Sequence, residues 1–239
     1  MARMSAERRR DAIVDAALSV ARRKGLAATT VRDVAAEMGS SSGLIHHYFE
    51  TMDDVVAAAF ERIAGQDLVE TEEQLRDAGD PTGIVRAFLS SYAPVGEDWA
   101  FQLWLDAWAE AARRPALREV SSRLNLAWAA MLERAIRAGV ASGDFRSPDP
   151  AGAAWRILSV VDGLALQVVA HQTIIDRQDM LRWAALAAER ELDLVPGTLA
   201  VSSESRAAAE ARQADASRGG AGPPPRARST HRLASDAHP

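Results

Sequence analysis

A chain of 239 residues that is 48% hydrophobic and has no cysteine can build one or two globular domains around a sizeable core. It cannot form disulfides, thiolate nucleophiles or cysteine-bound zinc sites. No apolar segment follows the basic start MARMSAERRRD, and no apolar run approaches the roughly 20 residues of a membrane span, so a cytoplasmic protein without a membrane partner is expected. The net charge is −5, but residues 1–50 carry eight Lys or Arg against six acids, 51–199 fourteen against twenty-three, and 200–239 six against four. A modestly basic leading module on an acidic body suits a protein that meets nucleic acid with one end only.

Residues 1–10 are expected to form a flexible arm. Arg8, Arg9 and Arg10 there either touch phosphate or open a solvated helix. A helix is predicted from about Ser5 to Lys24, with Ile13, Ala16, Ala17, Val20 and Ala21 turned inward. Arg22, Arg23 and Lys24 suit its negative end, and Gly25 stops it.

The stretch from Thr30 to Phe49, TVRDVAAEMGSSSGLIHHYF, reads as two short helices around a tight turn. Thr30 with Asp33 three residues on has the capping-box spacing, and Val31, Val34, Ala35 and Met38 recur at helical period. Gly39 ends the first helix by taking a left-handed conformation. Ser41 is the expected cap of a second helix over 42–48, with Leu44 and Ile45 looking inward. A helix-turn-helix of this kind reads DNA when its second helix enters the major groove. Small residues allow close approach there, and hydroxyl, imidazole and phenol groups bond phosphates and base edges. The candidate contacts are Thr29, Thr30, Arg32, Ser41, Ser42, Gly43, Leu44, His46, His47 and Tyr48. Read alone, the same pattern also fits a helical hairpin buried in any all-α protein.

From about Ala12 to Val56 the chain resembles the DNA-binding domain of the TetR family of transcriptional regulators. The matching residues are Ile13, Ala16, Ala17, Gly25, Thr30, Val31, Val34, Ala35, Gly39, Gly43, Tyr48, Phe49 and Asp53-Asp54-Val55. Two positions depart from the family pattern. Ser40 stands where an apolar residue is usual, and Met52 where a phosphate-contacting lysine is common.

Thr51 and Asp54 have capping-box spacing for a long helix running toward Leu75. Its acids Asp67, Glu70, Glu72, Glu73 and Asp77 read as a solvated face. Breaks at AGDP (78–81), Pro94 with Gly96, Arg114-Pro115, SGDF (142–145), Pro148 with Pro150, and Asp176 leave helices at roughly 82–93, 97–113, 116–141, 149–171 and 176–193. No stretch alternates long enough for a strand, so the fold class is all-α with about nine helices. The expected domains are a helix-turn-helix module at 1–50, a helical effector-binding and dimerisation body at 51–195 and a disordered tail at 196–239.

The body holds all six tryptophans. Trp99, Leu103, Trp104, Asp106, Trp108, Trp128 and Met131 are the candidate pocket: aromatic faces beside an acid attract an organic cation. The alternative is an aromatic core with acids at its surface. LWLDAWAEAARRPALR and VVDGLALQ resemble the effector domain of the BetI-type branch of TetR regulators, which implies a choline-type or polyamine cation as candidate effector. Over 149–193 more apolar face is present than one neighbouring helix covers. Leu158, Val161, Gly163, Leu164, Val168 and Leu186 are the candidate dimer interface, unless these are two-sided core helices. The resemblance implies the interface.

Together these features predict a homodimeric transcriptional regulator, released as a repressor from a palindromic double-stranded operator by a small-molecule effector. The rivals are a helical adaptor that binds a protein, a DNA-binding activator without ligand control, and an enzyme. His46 and His47 lie beside serines on one short helix and make no triad. Asp106 and Glu110 have no histidine with them to hold a metal, and no phosphate-binding or dinucleotide motif is present, so no catalytic residue, metal or cofactor is assigned.

Overall fold

Nine helices and no strand make up the described residues, 5–92, 99–171 and 174–200, of the computed structural model. They are α1 (Ala6–Lys24), α2 (Val31–Glu37), α3 (Ser42–Tyr48), α4 (Met52–Arg76), α5 (Pro81–Ser90), α6 (Trp99–Ala111), α7 (Pro115–Ser142), α8 (Pro150–His171) and α9 (Arg177–Glu191). The all-α reading and the order of its breaks hold. The expected arm does not extend to residue 10. The Ser5 hydroxyl accepts the Arg8 N–H at 3.2 Å and starts α1, so Arg8, Arg9 and Arg10 are helical.

Both capping boxes form. Thr30 closes on Asp33 and Thr51 on Asp54, each side chain bonding the other's backbone, which satisfies N–H groups that a helix start leaves open. The turn between α2 and α3 is a Schellman closure: Gly39 N–H bonds Ala36 O at 3.1 Å and Ser40 N–H bonds Ala35 O at 2.9 Å. It requires φ +59° at Gly39, where any side chain would be strained. Ser40, where an apolar residue is usual, thus closes the turn through its backbone N–H. Ser41 is the N-cap of α3 but makes no side-chain cap bond, so its hydroxyl is not committed to capping.

Two cores share α4. Ile13, Ala17, Val34, Ile45 and Phe49 enclose Val55 and Ala59 in the smaller, leading core. The larger takes Val56 and Phe60 from the same helix, joins them to α5 through α9, and draws Ala21 and Leu26 out of the leading module. Met52 packs against both, so the position where a lysine would contact phosphate serves packing here. Ile45 is the fully buried residue of α3, whereas Leu44 is half-buried.

The expected loss of order at 196 is corrected for residues 196–200. Leu199 is fully buried in the larger core. Its N–H bonds the buried Glu189 carboxylate at 2.7 Å, and Arg86 bonds Thr198 O at 2.7 Å. A single apolar anchor within a Gly- and Ser-rich stretch has no periodicity to reveal it. The expected disorder of 201–239 lies outside the described residues. A second correction concerns α8, which is by length and composition apolar enough to cross a membrane. Ala153, Ala154, Ile157, Leu158, Val161 and Ala165 form its buried face, and Val160 and Leu166 remain on the surface.

Candidate functional site

At the leading end, α3 presents Ser41, Gly43, His46 and His47 to solvent, with Ser42, Leu44 and Tyr48 half-buried. The rings of His47 and Tyr48 meet edge to face at 5.0 Å, which fixes the two against each other. Arg32 is exposed on α2. One expected contact is corrected, and a second is already engaged within the protein. Thr29 is 3% exposed and its hydroxyl donates to Gly25 O at 2.8 Å, so it stabilises the turn after α1. Thr30 is exposed, but its hydroxyl donates to Asp33 at 2.7 Å inside the capping box.

The basic end of α1 is exposed, but its side chains are paired within the protein. Arg23 pairs with Glu37 at 2.6 Å, Lys24 with Asp33 at 2.5 Å, and Arg22 lies 3.5 Å over the Trp99 ring. Of the three arginines at its start, Arg10 lies 4.2 Å over the ring of Phe49.

The body holds a half-open cavity of about 120 Å³. Phe101, Trp104 and Trp108 of α6, Asn125 and Trp128 of α7, and Leu158, Asp162, Ala165 and Val169 of α8 line it, with Asp67 of α4, Tyr92 and Arg177. α6 supplies the aromatic wall because Phe101, Trp104 and Trp108 recur at spacings of three and four. Trp108 meets Phe101 and Trp104 at ring separations of 6.0 and 5.6 Å. The indole N–H groups of Trp108 and Trp128 are buried without an acceptor among the described residues, an expensive arrangement for a purely structural aromatic core.

Two carboxylates lie with these rings in the cavity, which the Arg177 side chain also lines. Burial pushes Asp67 up to about 6, with the nearby Glu70 charge adding to the effect. Burial also pushes Asp162 up to about 6, against the opposing hydrogen bond from the Tyr92 hydroxyl at 2.9 Å. The same burial and the Asp162 charge raise Tyr92 well above the usual phenol range. Rings and acids within one cavity attract positive charge.

Of the expected pocket residues, Trp104, Trp108 and Trp128 line the cavity, and four do not. Leu103 and Met131 are 2% and 4% exposed in the surrounding core. Trp99 stacks under Arg22. Asp106 points to the leading module and accepts the Leu26 N–H at 2.9 Å. Asp67 and Asp162 were not assigned to the pocket from sequence. Asp67 sits within an acidic run that resembles a solvated face, and Asp162 within the apolar stretch VVDGL. An acid isolated among apolar residues was the available signal at Asp162; none existed at Asp67.

On α8 and α9, Leu158 and Val161 of the expected dimer interface are buried within the subunit, Leu158 against the cavity. Leu164, Val168 and Leu186 are half-buried and Gly163 is exposed, with open space where a Cβ would stand. The row that reaches solvent also holds Trp155, Val160, Leu166 and Trp183. Counting apolar residues at 157–168 could not separate the inward from the outward row.

Residues 13–59 match the family model of the bacterial regulatory proteins of the tetR family, and residues 81–193 that of the BetI-type transcriptional repressor C-terminal domain. The HTH-type transcriptional regulator BetI of Paraburkholderia phymatum is 27% identical over 190 residues, covering 74% of this chain and 90% of that protein. The HTH-type transcriptional regulator CymR of Pseudomonas putida is 28% identical over 179 residues, covering 75% of this chain and 88% of that one. A crystal structure of a transcriptional regulator from Saccharomonospora viridis in complex with choline superposes with a TM-score of 0.69 at 23% identity, covering 77% of this chain and 96% of the other. These families and relatives are regulators of transcription rather than enzymes.

Proposed function

The chain belongs to the TetR family of DNA-binding transcriptional regulators, with a BetI-type C-terminal domain, and from that premise we propose that it is a cytoplasmic homodimeric repressor released from a palindromic operator by an organic cation. The observation that carries the cation is one cavity in which Trp104, Trp108, Trp128, Asp67 and Asp162 converge. The choline bound by the regulator from Saccharomonospora viridis is consistent with this chemistry.

In this reading α3 of each subunit enters a major groove. His46, His47, Tyr48, Ser41 and Ser42 make its phosphate and base-edge contacts, Gly43 and Leu44 give it close approach, and Arg32 reaches a phosphate from α2. A two-fold axis beside the outward row of α8 and α9 sets the two recognition helices about one helical turn apart, roughly 34–36 Å. The cation favours a conformer in which α4 shifts and the helices leave that spacing. A differential affinity of about 1–3 kcal/mol is sufficient coupling.

The test of the DNA surface is His47→Ala or Tyr48→Ala. Either change weakens operator binding at least tenfold while the dimer persists in light scattering; unchanged operator affinity removes α3 from the interface.

A further inference from the structure

We infer that Asp67 selects the effector: the occupant of the cavity is a compact cation that carries an N–H or O–H donor and directs it at the Asp67 carboxylate, in preference to a cation that has no such donor. The inference rests on the cation reading above and narrows it.

Asp67 lies on the second half of α4 and lines the cavity, yet no donor of the described residues bonds its carboxylate, and desolvation with the Glu70 charge accounts for its perturbed state. Its neighbours are provided for. Glu70 accepts from Gln66 at 2.7 Å, Glu72 pairs with Arg134 at 2.6 Å, and across the cavity Asp162 accepts the Tyr92 hydroxyl. An occupant that fills the cavity displaces water from around Asp67, and an ionised carboxylate left there without donors is costly. The occupant then has to bring the donor itself.

A cation with neither N–H nor O–H, such as tetramethylammonium, brings charge without a donor. The ring faces of Phe101, Trp104 and Trp108 accept that charge as readily as the charge of an amine, so the rings do not separate the two classes. A carboxylate does, because a charge-assisted hydrogen bond is directional and needs a donor. Asp67 also shares its helix with Val55 and Ala59 in the core of the DNA-binding module. The contact that selects the cation is therefore also one that acts on α4.

Isothermal titration of the full chain compares two donor-bearing cations, choline and 2-aminoethanol, with two donor-free ones, tetramethylammonium and choline methyl ether. At least one donor-bearing cation is expected to bind tenfold or more tightly than either donor-free cation. Asp67→Leu is expected to bring that ratio to within about twofold, and Asp67→Asn, which keeps an acceptor oxygen but no charge, to leave an intermediate ratio. Asp162→Asn is expected to weaken all the cations alike. Binding of the donor-free pair as tight as that of the donor-bearing pair, or a ratio that survives Asp67→Leu, overturns the inference and leaves the cation reading standing. Failure of all four to bind overturns both. Circular dichroism of each variant shows whether a lost ratio reflects a lost fold.

Discussion

The Asp106 carboxylate on α6 accepts the backbone N–H of Leu26, at the turn between α1 and α2, at 2.9 Å. It is one of several polar ties between the body and the leading module, and Arg62 of α4 adds another by pairing with Asp11 and Asp15 of α1 at 2.6 and 2.5 Å. Arg22 lies over Trp99, and Arg114 reaches both Ala27 O at 3.5 Å and Asp53 at 3.4 Å. Asp106 approaches so closely that a Cβ on Gly25 would stand 2.7 Å from its Oδ2, at a backbone φ of +83°. The same helix carries Phe101, Trp104 and Trp108 into the cavity, so α6 and α4 both connect the cavity with the DNA-binding module.

Asp106→Ala therefore uncouples the two ends. The expected outcome is cation affinity within about twofold of wild type, cation-driven release from DNA reduced at least fivefold, and a stability loss of about 1–3 kcal/mol from the unpaired N–H. Anisotropy of labelled operator DNA during a cation titration measures the release. Release at wild-type cation concentrations would show that the Asp106 bond does not carry the coupling.

Cation binding and protonation compete at Asp67 and Asp162, both pushed up to about 6 by burial. Each holds its proton longer in the folded chain than in the unfolded one, where the reference value is 3.8. The cation-free protein therefore loses stability as pH rises from about 4 through about 6, by up to about 3 kcal/mol per group. A bound cation offsets that loss only where the acids are ionised. The thermal shift produced by a saturating cation is expected to be large at pH 7.5 and small at pH 5, and to flatten in Asp67→Asn. Equal shifts at both pH values would remove the carboxylates from the site.

The outward row of α8 gives a test of the dimer. Val160 and Leu166 are each 38% exposed, so a carboxylate at either costs little in the isolated subunit and is buried unpaired at a two-fold contact. Val160→Glu or Leu166→Glu is expected to give folded monomers by light scattering. Val161→Glu, at a position with no exposure, is expected to unfold the subunit instead. A stable dimer in both surface variants would place the contact elsewhere.

The Ser40 hydroxyl is buried without a partner among the described residues while its backbone closes the turn. Ser40→Ala keeps that backbone and removes the orphan group, so the variant is expected to be about 1 kcal/mol more stable, read as a raised denaturant midpoint with unchanged slope. A lowered midpoint would show that the hydroxyl contributes to the turn.

The fold was legible because its signals are local. Thr30 with Asp33, Gly39, and Thr51 with Asp54 each mark an element within four residues, and their geometry is as their spacing predicts. The aromatic wall was legible in part: Trp104, Trp108 and Trp128 share helical faces that the sequence exposes. The partners of the acids were not. Whether a carboxylate meets solvent, a cavity or a backbone N–H eighty residues away depends on how helices cross, which sequence spacing does not encode. Asp67 and Asp106 thus changed places, one from solvated face to cavity and the other from cavity to inter-module tie. For the same reason Val161 and Leu158 turned inward, although their helix is apolar on more than one side.

The central claim is a DNA-binding protein whose operator affinity a cation lowers. It is tested most directly by fluorescence anisotropy of the full chain on the intergenic DNA upstream of its own gene, against scrambled DNA, across a salt series with and without choline. The expected result is selective binding of two subunits per palindrome, weakening with salt, and release on adding the cation. Equal, weak binding to both DNAs, unmoved by the cation, would contradict the account.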